Sequence, residues 1–309
     1  MRSIFRHMSD LLIFGLKTDI REPFSVGDLI VHPIYDLHGY LKGYDPGDVE
    51  FIIDSEAKYA QYRPNLDSQP RFLSPLLTDH CLIPLRLLKS GWLSAITVMP
   101  ITKSAGIEVS SELGSLNEIF GQIWAEPMHY ELREDELPLI RRIHDDLMAV
   151  PKGYLELALR RFSRSYQYYC HSEYAGTSEL DDCIVDLVIA LESITSQSEA
   201  GIMQHIASRT ILLLGSHLDE DGRKNMERKV RRFYKHRSSI VHGEDRDEIS
   251  EADYKDRFST AEDLRTLVRD VLNACIRLLT NPGLSLRKAS GKPKKMADII
   301  DSEYGLSSP

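Results

Sequence analysis

The 309-residue sequence has few cysteines, and the four present (Cys81, Cys170, Cys183 and Cys275) form no C-x-x-C pair. A secreted disulfide framework or a zinc finger needs paired or clustered cysteines, so both classes are excluded. No apolar stretch approaches the roughly 20 residues needed to span a bilayer, and the run Leu11–Leu16 is too short for a signal peptide. We therefore expect a cytoplasmic protein with reduced, buried thiols and no membrane partner.

Several motifs of common enzyme chemistries are also missing. The sequence contains no G-x-x-x-x-G-K-[ST], no G-x-G-x-x-G, no H-E-x-x-H and no G-x-S-x-G. These patterns bind nucleotide phosphates, dinucleotides and zinc, or present a nucleophilic serine. The local signals therefore give no reason to expect a bound metal or another cofactor.

Charge is present in quantity, but its two signs are distributed unevenly. Of the formal net charge of −9, residues 1–150 contribute −8, from 14 Lys/Arg against 22 Asp/Glu. Residues 151–309 are close to balanced, with 24 Lys/Arg against 25 Asp/Glu. Within them, residues 223–237 hold eight basic side chains and one acidic side chain. This segment, called the basic run below, is typical of a surface that attracts polyanions.

The secondary-structure pattern changes along the chain. In residues 1–133, short β-prone runs such as Val49–Ile53, Ala95–Met99 and Ile107–Ser110 are separated by turn formers. This region is predicted to be a mixed α/β domain, and its topology cannot be assigned from the pattern.

From residue 134 onward, apolar residues recur three and four positions apart, which predicts helices. We expect an all-α bundle over 134–282 and a polar, partly flexible tail over 283–309 that contains Lys288, Lys292, Lys294 and Lys295. The predicted fold class is therefore α+β.

One predicted helix, covering about residues 222–242, has a charged residue in its apolar stripe. Val230, Phe233 and Ile240 form the stripe, and Arg237 occupies the position between the last two. A guanidinium stays charged, so it needs an anionic partner there, either a carboxylate or a ligand phosphate. His242 follows five residues later, about 140° further around the helix. An arginine and a titratable histidine form a minimal set for cleaving a phosphodiester without metal.

The segment from Tyr234 to Gly243, with the sequence YKHRSSIVHG, resembles the signature helix of the HEPN superfamily (higher eukaryotes and prokaryotes nucleotide-binding), in particular its Apea-like branch. The family signature is R-x4–6-H, matched here by Arg237 and His242. Upstream, LVIALES resembles the family's ALE helix and places Glu192 at its acidic position. The residue after the motif arginine is often Asn, Asp or His in active members, whereas this chain has Ser238. The resemblance covers about residues 134–282.

This resemblance implies a metal-independent endoribonuclease that cleaves RNA through attack of the 2′-hydroxyl, as in toxin–antitoxin and abortive-infection defence systems. Arg237 and His242 would be catalytic, and Ser238 would support them. Glu192 would either orient Arg237 or form a purely structural ion pair with it. The implied partners are RNA, a second copy of the chain, and a regulatory protein or antitoxin. Residues 1–133 would sense a trigger or restrain activity.

The basic run acquires a role through the same resemblance. It would form a surface for the RNA backbone, with a solvated helix face as the alternative. The residues assigned to this surface are Arg228, Lys229, Arg231, Arg232, Lys235 and His236. His236 lies four residues after Arg232, so it is expected to face outward with it.

Two further functions remain open from the sequence. One is a non-catalytic HEPN module that binds nucleic acid, a nucleotide or a partner protein. The other is a metal-dependent nuclease centred on Glu56 and Lys58, with Asp45 or Asp48 as a second carboxylate. In that case the helices would serve only for dimerisation.

Overall fold

The computed structural model describes residues 9–14, 16–18, 20, 22, 24–26, 29–32, 58–62, 77–91, 94–100, 107–109, 130–166, 177–196, 201–215, 218–243, 251–288, 290 and 292–305. The chain divides into two units. The first comprises residues 1–145 and 169–174, and the second comprises residues 146–168 and 175–309. We refer to the second as the helical unit.

The strands of the first unit form one large and one small sheet. Their bounds are β1 Ser9–Phe14, β2 Leu16–Thr18, β3 Phe24–Val26, β4 Leu29–His32, β5 Lys58–Tyr62, β6 Ser94–Pro100, β7 Ile107–Val109 and β8 Tyr130–Leu132. Six strands make an antiparallel sheet in the order β3-β4-β5-β1-β6-β7, while β2 pairs in parallel with β8. Two predicted strand runs correspond to β6 and β7. The third, Val49–Ile53, lies outside the described residues.

Helix α1, Leu77–Leu88, supplies much of the described core of the first unit. Its Leu82 and Leu85 are buried in one cluster with Tyr130 and other side chains from β3, β4 and β8. The Tyr130 hydroxyl donates a hydrogen bond of 2.7 Å to the carbonyl of Leu85, which satisfies the one polar atom of a ring that is otherwise fully buried. A 3-10 turn at Glu134–Glu136 then leads into the first long helix.

The remaining helices are α2 Leu137–Ala149, α3 Glu156–Ser165, α4 Thr177–Thr195, α5 Ile202–Leu214, α6 Glu220–His242, α7 Glu251–Leu279 and α8 Met296–Glu303. The division between the two units falls inside α2, after Asp145, whereas the predicted boundary precedes residue 134. Each helical segment predicted between residues 134 and 282 contains a helix of the structure. With the sheets of the first unit, these helices give an α-rich, α+β fold.

Helix α4 lies at the centre of the helical unit and packs against α3, α5, α6 and α7. This position explains its composition, because eight of its residues are buried hydrophobics, including Ile184, Leu187, Val188 and Leu191. A helix covered on most sides must be apolar over most of its surface. Glu192 lies on the last turns of this central helix.

The segment after residue 283, predicted as a polar tail, contains helix α8, which the sequence analysis did not identify. Met296, Ala297, Ile299 and Ile300 of α8 are buried. The helix packs against α4 and α5, so part of the segment belongs to the core of the helical unit. In the described part of the chain, no helix is both long and apolar enough to cross a membrane.

Candidate functional site

Helix α6 carries the predicted site and has clear signals at both ends. At its start, the Asp219 side chain accepts a hydrogen bond of 2.8 Å from the amide of Gly222. At its end, Gly243 adopts a left-handed conformation with φ of 70°, and its amide donates to the carbonyl of Ile240 at 3.2 Å. Glycine enters this conformation without steric cost, so the helix ends directly after His242.

Arg237 lies one turn beyond Phe233 on the same face of α6 and is partly buried. Val230 and Phe233 are fully buried, and the Nε atom of Arg237 is also buried. That Nε atom has no hydrogen-bond partner among the described residues. The guanidinium lies 6.0 Å from the centre of the Tyr234 ring, within range of a cation–π interaction. A buried donor without a partner is costly, and an anion that reached it would be bound favourably.

Glu192 of α4 is the acidic group that the structure brings toward Arg237. The carboxylate is half-buried. Burial raises the pKa of Glu192, and the positive charge of Arg237 lowers it by a smaller amount, leaving the pKa above its ordinary value. The guanidinium and the carboxylate therefore interact electrostatically, although no ion pair within 4 Å joins them in the described residues.

His242 is the last residue of α6 and is exposed, as is Val241 beside it, with 53% of its surface accessible. Ser238, next to the arginine, is partly buried. Arg237 and His242 thus lie in different environments, one directed into the helical unit and one at its surface. A single copy of the helix does not place both side chains around one phosphate, in keeping with their separation of about 140°.

Four of the eight basic side chains of the basic run contact acidic side chains, one of them being Lys224 with Glu220 at 2.6 Å. Lys229 contacts Asp263 at 3.1 Å, Arg231 contacts Glu227 at 2.7 Å, and Arg232 contacts Asp256 at 2.6 Å. Asp256 and Asp263 belong to α7, whose acidic face lies along α6. Arg228 donates to the side chain of Asn225, while Lys235 is exposed. The run is therefore much less electropositive than its sequence indicates.

His236 differs from its expected position. It is half-buried rather than outward-facing. Burial lowers the pKa of His236, and the nearby positive charge of Arg232 lowers it further. Asp256 acts in the opposite direction, and Arg257 and Lys235 add smaller lowering effects. A neutral imidazole is thus favoured, which weakens the case for this residue as a phosphate ligand.

Two features of this site were absent from the sequence interpretation. The first is the acidic side of α7, whose Asp256 lies 24 residues after its partner Arg232 and carries no local signal. The second is Tyr234, whose ring lies beside Arg237. Its i, i+3 spacing from the arginine is visible in the sequence and could have indicated this contact.

The other predicted sites are described only in part. Glu56, Asp45 and Asp48 lie outside the described residues, and only the backbone of Lys58, in β5, is described. In the described part of the chain, no group of three or more His, Cys, Asp or Glu side chains could hold a metal ion.

Two of the four cysteines can be described in full. Cys183 and Cys275 are both free and buried. Burial raises the pKa of the Cys183 thiol to about 11, although Arg265, whose Nη2 lies 3.1 Å from the sulfur, offsets part of that effect. These thiols are therefore unsuited to nucleophilic chemistry.

When the chain is compared with sequence profiles of protein families, with curated proteins and with solved structures, none of them matches it.

Proposed function

We propose that the chain is a metal-independent endoribonuclease of the HEPN type, with Arg237 and His242 as its catalytic residues. The observation that carries this proposal is the state of Arg237. Its buried Nε atom lacks a hydrogen-bond partner, and the same helix ends on an exposed histidine. A phosphate supplies the anion that this guanidinium lacks, and the histidine supplies a group able to transfer protons near neutral pH.

In the proposed reaction, the 2′-oxygen of a ribose attacks the adjacent phosphorus. The O2′–P bond forms as the P–O5′ bond breaks. His242 accepts the proton of the 2′-hydroxyl, the leaving O5′ oxygen takes up a proton from water or from the second copy's His242, and Arg237 stabilises the charge that builds up on the phosphoryl oxygens. The products are a 2′,3′-cyclic phosphate and a 5′-hydroxyl, so neither a metal nor hydrolysis is needed for the cut itself.

Glu192 fits a positioning role in this reaction. Its carboxylate attracts Arg237 electrostatically, without the close ion pair that would compete with a substrate phosphate. The site therefore keeps its guanidinium oriented and still able to bind an anion.

The separation of Arg237 and His242 around α6 also supports a paired site. Two α6 helices related by a two-fold axis would place two arginines and two histidines around one cleft, as is usual for isologous homodimers. Val241 supports this arrangement, because a large exposed apolar side chain beside His242 would be buried by a second copy.

The test is incubation of the purified chain with single-stranded RNA in EDTA, followed by analysis of the product ends. We expect cleavage to 2′,3′-cyclic phosphate ends, and we expect the His242→Ala variant to be about 100- to 10,000-fold slower, the usual contribution of a proton-transfer group. Arg237→Ala should also abolish cleavage.

His205→Ala is the matched control, because it removes a histidine from α5, outside the proposed site, and should cleave at the parent rate. Cleavage that requires Mg²⁺ would instead support a nuclease centred on Glu56 and Lys58. Absence of cleavage under all conditions would support a non-catalytic binding module.

A further inference from the structure

The segment between α7 and α8 forms a short two-stranded hairpin, here called the basic hairpin and defined as residues 286–295. The Lys288 amide donates to the carbonyl of Lys292 at 2.8 Å, and the Lys294 amide donates to the carbonyl of Leu286 at 2.9 Å. Arg287 and Pro293 form the bridge between them. Helix α8 follows at once, and its buried apolar face fixes one end of the hairpin. The backbone that carries these lysines is therefore held in place at one end by α8.

The basic hairpin concentrates positive charge. Five of its ten residues are basic, namely Arg287, Lys288, Lys292, Lys294 and Lys295, and none is acidic. The nearest described carboxylate is Asp298, which contacts Lys288 at 2.9 Å and accepts a hydrogen bond of 3.1 Å from the Lys295 amide. Lys292 is exposed and Lys294 is partly exposed, and neither side chain forms an ion pair with a described acidic residue. Lys295 is also exposed, and its charge interacts with Asp298.

The register of the hairpin places like charges together. Because Arg287 pairs with Pro293, Lys288 lies directly opposite Lys292, and Lys294 lies on the same face as both. Like charges opposite each other on neighbouring strands destabilise the pair. Asp298 offsets the charge of Lys288 at 2.9 Å, and a bound anion would offset the charges of Lys292 and Lys294.

Part of the positive charge of α6 is already compensated by acidic side chains. Lys229, Arg231 and Arg232 contact carboxylates, so a phosphate must compete with these acids to bind there. Lys292 and Lys294 of the hairpin offer their charge without that competition, as do Arg228 and Lys235 of α6, which form no ion pair with a described acidic residue. Sequence alone favours α6 as the phosphate-binding surface, because it shows the basic residues but not their partners.

We infer that the basic hairpin is a surface through which the chain binds the phosphate backbone of single-stranded RNA. The choice of RNA rests on the proposed function, and it is favoured over an anionic membrane by the other exposed groups. Ser290 and Pro293 are exposed beside the lysines, and the described hairpin exposes no large apolar side chain for insertion into lipid. Lysine contacts of this kind act on the backbone without reading sequence.

The experiment measures binding of a fluorescent 20-nucleotide single-stranded RNA by anisotropy, in a His242→Ala background so that the RNA stays intact. The test variant is Lys292→Gln with Lys294→Gln. We expect its affinity to fall at least about fivefold at 0.1 M salt. The slope of log K against log[salt] should become shallower by about 1.4, since each single-strand phosphate contact contributes about 0.7.

The matched control is Lys152→Gln with Arg160→Gln, which removes the same charge from exposed positions of the helical unit and should leave both quantities unchanged. Equal affinity and slope for the test variant and its parent would overturn the inference. The inference would also be overturned if the control variant lost as much RNA affinity as the test variant. It would likewise be overturned if the test variant bound RNA like its parent and lost only its binding to phosphatidylserine vesicles. Since the assay needs no cleavage, a chain that binds through the hairpin but never cuts RNA would disprove the proposed function and leave this inference standing.

Discussion

At the scale of single residues, the half-buried carboxyl of Glu192 gives the helical unit a distinctive dependence on pH. Its pKa is raised above the ordinary value of 4.5 in the folded chain, mainly because burial disfavours the charged form. The folded chain then holds this proton more tightly than the unfolded chain. Between 4.5 and the raised pKa, the folded state binds more protons, so the free energy of unfolding contributed by Glu192 falls as pH rises.

We therefore expect Glu192→Gln to become more stable relative to the parent as the pH rises from 4 to 7. Urea denaturation across this range measures the difference. Asp182→Asn, which removes an exposed carboxylate from the same helix, should show no such trend. If the stability difference between Glu192→Gln and the parent stays constant with pH, Glu192 does not titrate as described.

At the scale of elements, α8 is fastened to the rest of the helical unit by a buried ion pair. Arg209 of α5 donates to both carboxylate oxygens of Asp301, from Nε at 2.7 Å and from Nη2 at 2.6 Å. Its Nη1 donates to the carbonyl of Thr195 at the end of α4, at 2.5 Å. The two charged side chains are 4% and 8% exposed, so each depends on the other for compensation.

Removal of one partner should leave an uncompensated charge in the core. We expect Asp301→Ala to lower the free energy of unfolding by about 3–5 kcal/mol. The Arg209→Ala, Asp301→Ala double variant should lose clearly less than the sum of the two single variants. Urea denaturation of the parent, the two single variants and the double variant gives the four free energies of a double-mutant cycle. Additive losses would show that the pair is not coupled.

The helices show how far the sequence predicts this fold. Helix α6 was predictable because its signals are local: an apolar stripe and a glycine directly after His242. The apolar spacing of Met296, Ile299 and Ile300 is equally helical, yet the lysines before it made the segment resemble a tail. The strand order of the large sheet could not be predicted, because it depends on pairings such as that of β1 with β6, far apart in the chain.

The candidate site was likewise predictable where it depends on local sequence and unpredictable where it depends on tertiary packing. The placement of Arg237 on the same face of α6 as Val230 and Phe233 is a property of helical spacing and was visible in the sequence. The pairing of Arg232 with Asp256 and the burial of His236 were not, because both depend on how α7 lies along α6. Local periodicity thus gave the position of the site, and tertiary packing determined its charge.

At the scale of the whole molecule, the proposed site requires two copies of the chain. We expect light scattering to show a homodimer with its two-fold axis near His242. Val241→Glu should produce a folded monomer with little or no RNA cleavage, since it places a charge in the proposed interface. Leu157→Glu, at an apolar position of α3 that is 40% exposed, should remain dimeric and active.

A mixing experiment tests whether the site is shared. An Arg237→Ala chain combined with a His242→Ala chain should recover part of the activity that each lacks, because a composite site can take its arginine from one copy and its histidine from the other. A fully active monomer would contradict the shared site.

The anchoring of α4 by α8 also has a consequence for the order in which the protein is made. Arg237 and His242 leave the ribosome before α8 does, because α6 precedes α8 in the chain. Until Asp301 emerges, Arg209 has no carboxylate partner in α8, and the end of α4, one turn beyond Glu192, lacks its anchor. Chains synthesised only as far as α7 therefore contain both proposed catalytic residues without the support that α8 gives to Arg209 and, through it, to the end of α4. Completion of the proposed site is thus tied in time to the emergence of α8 from the exit tunnel.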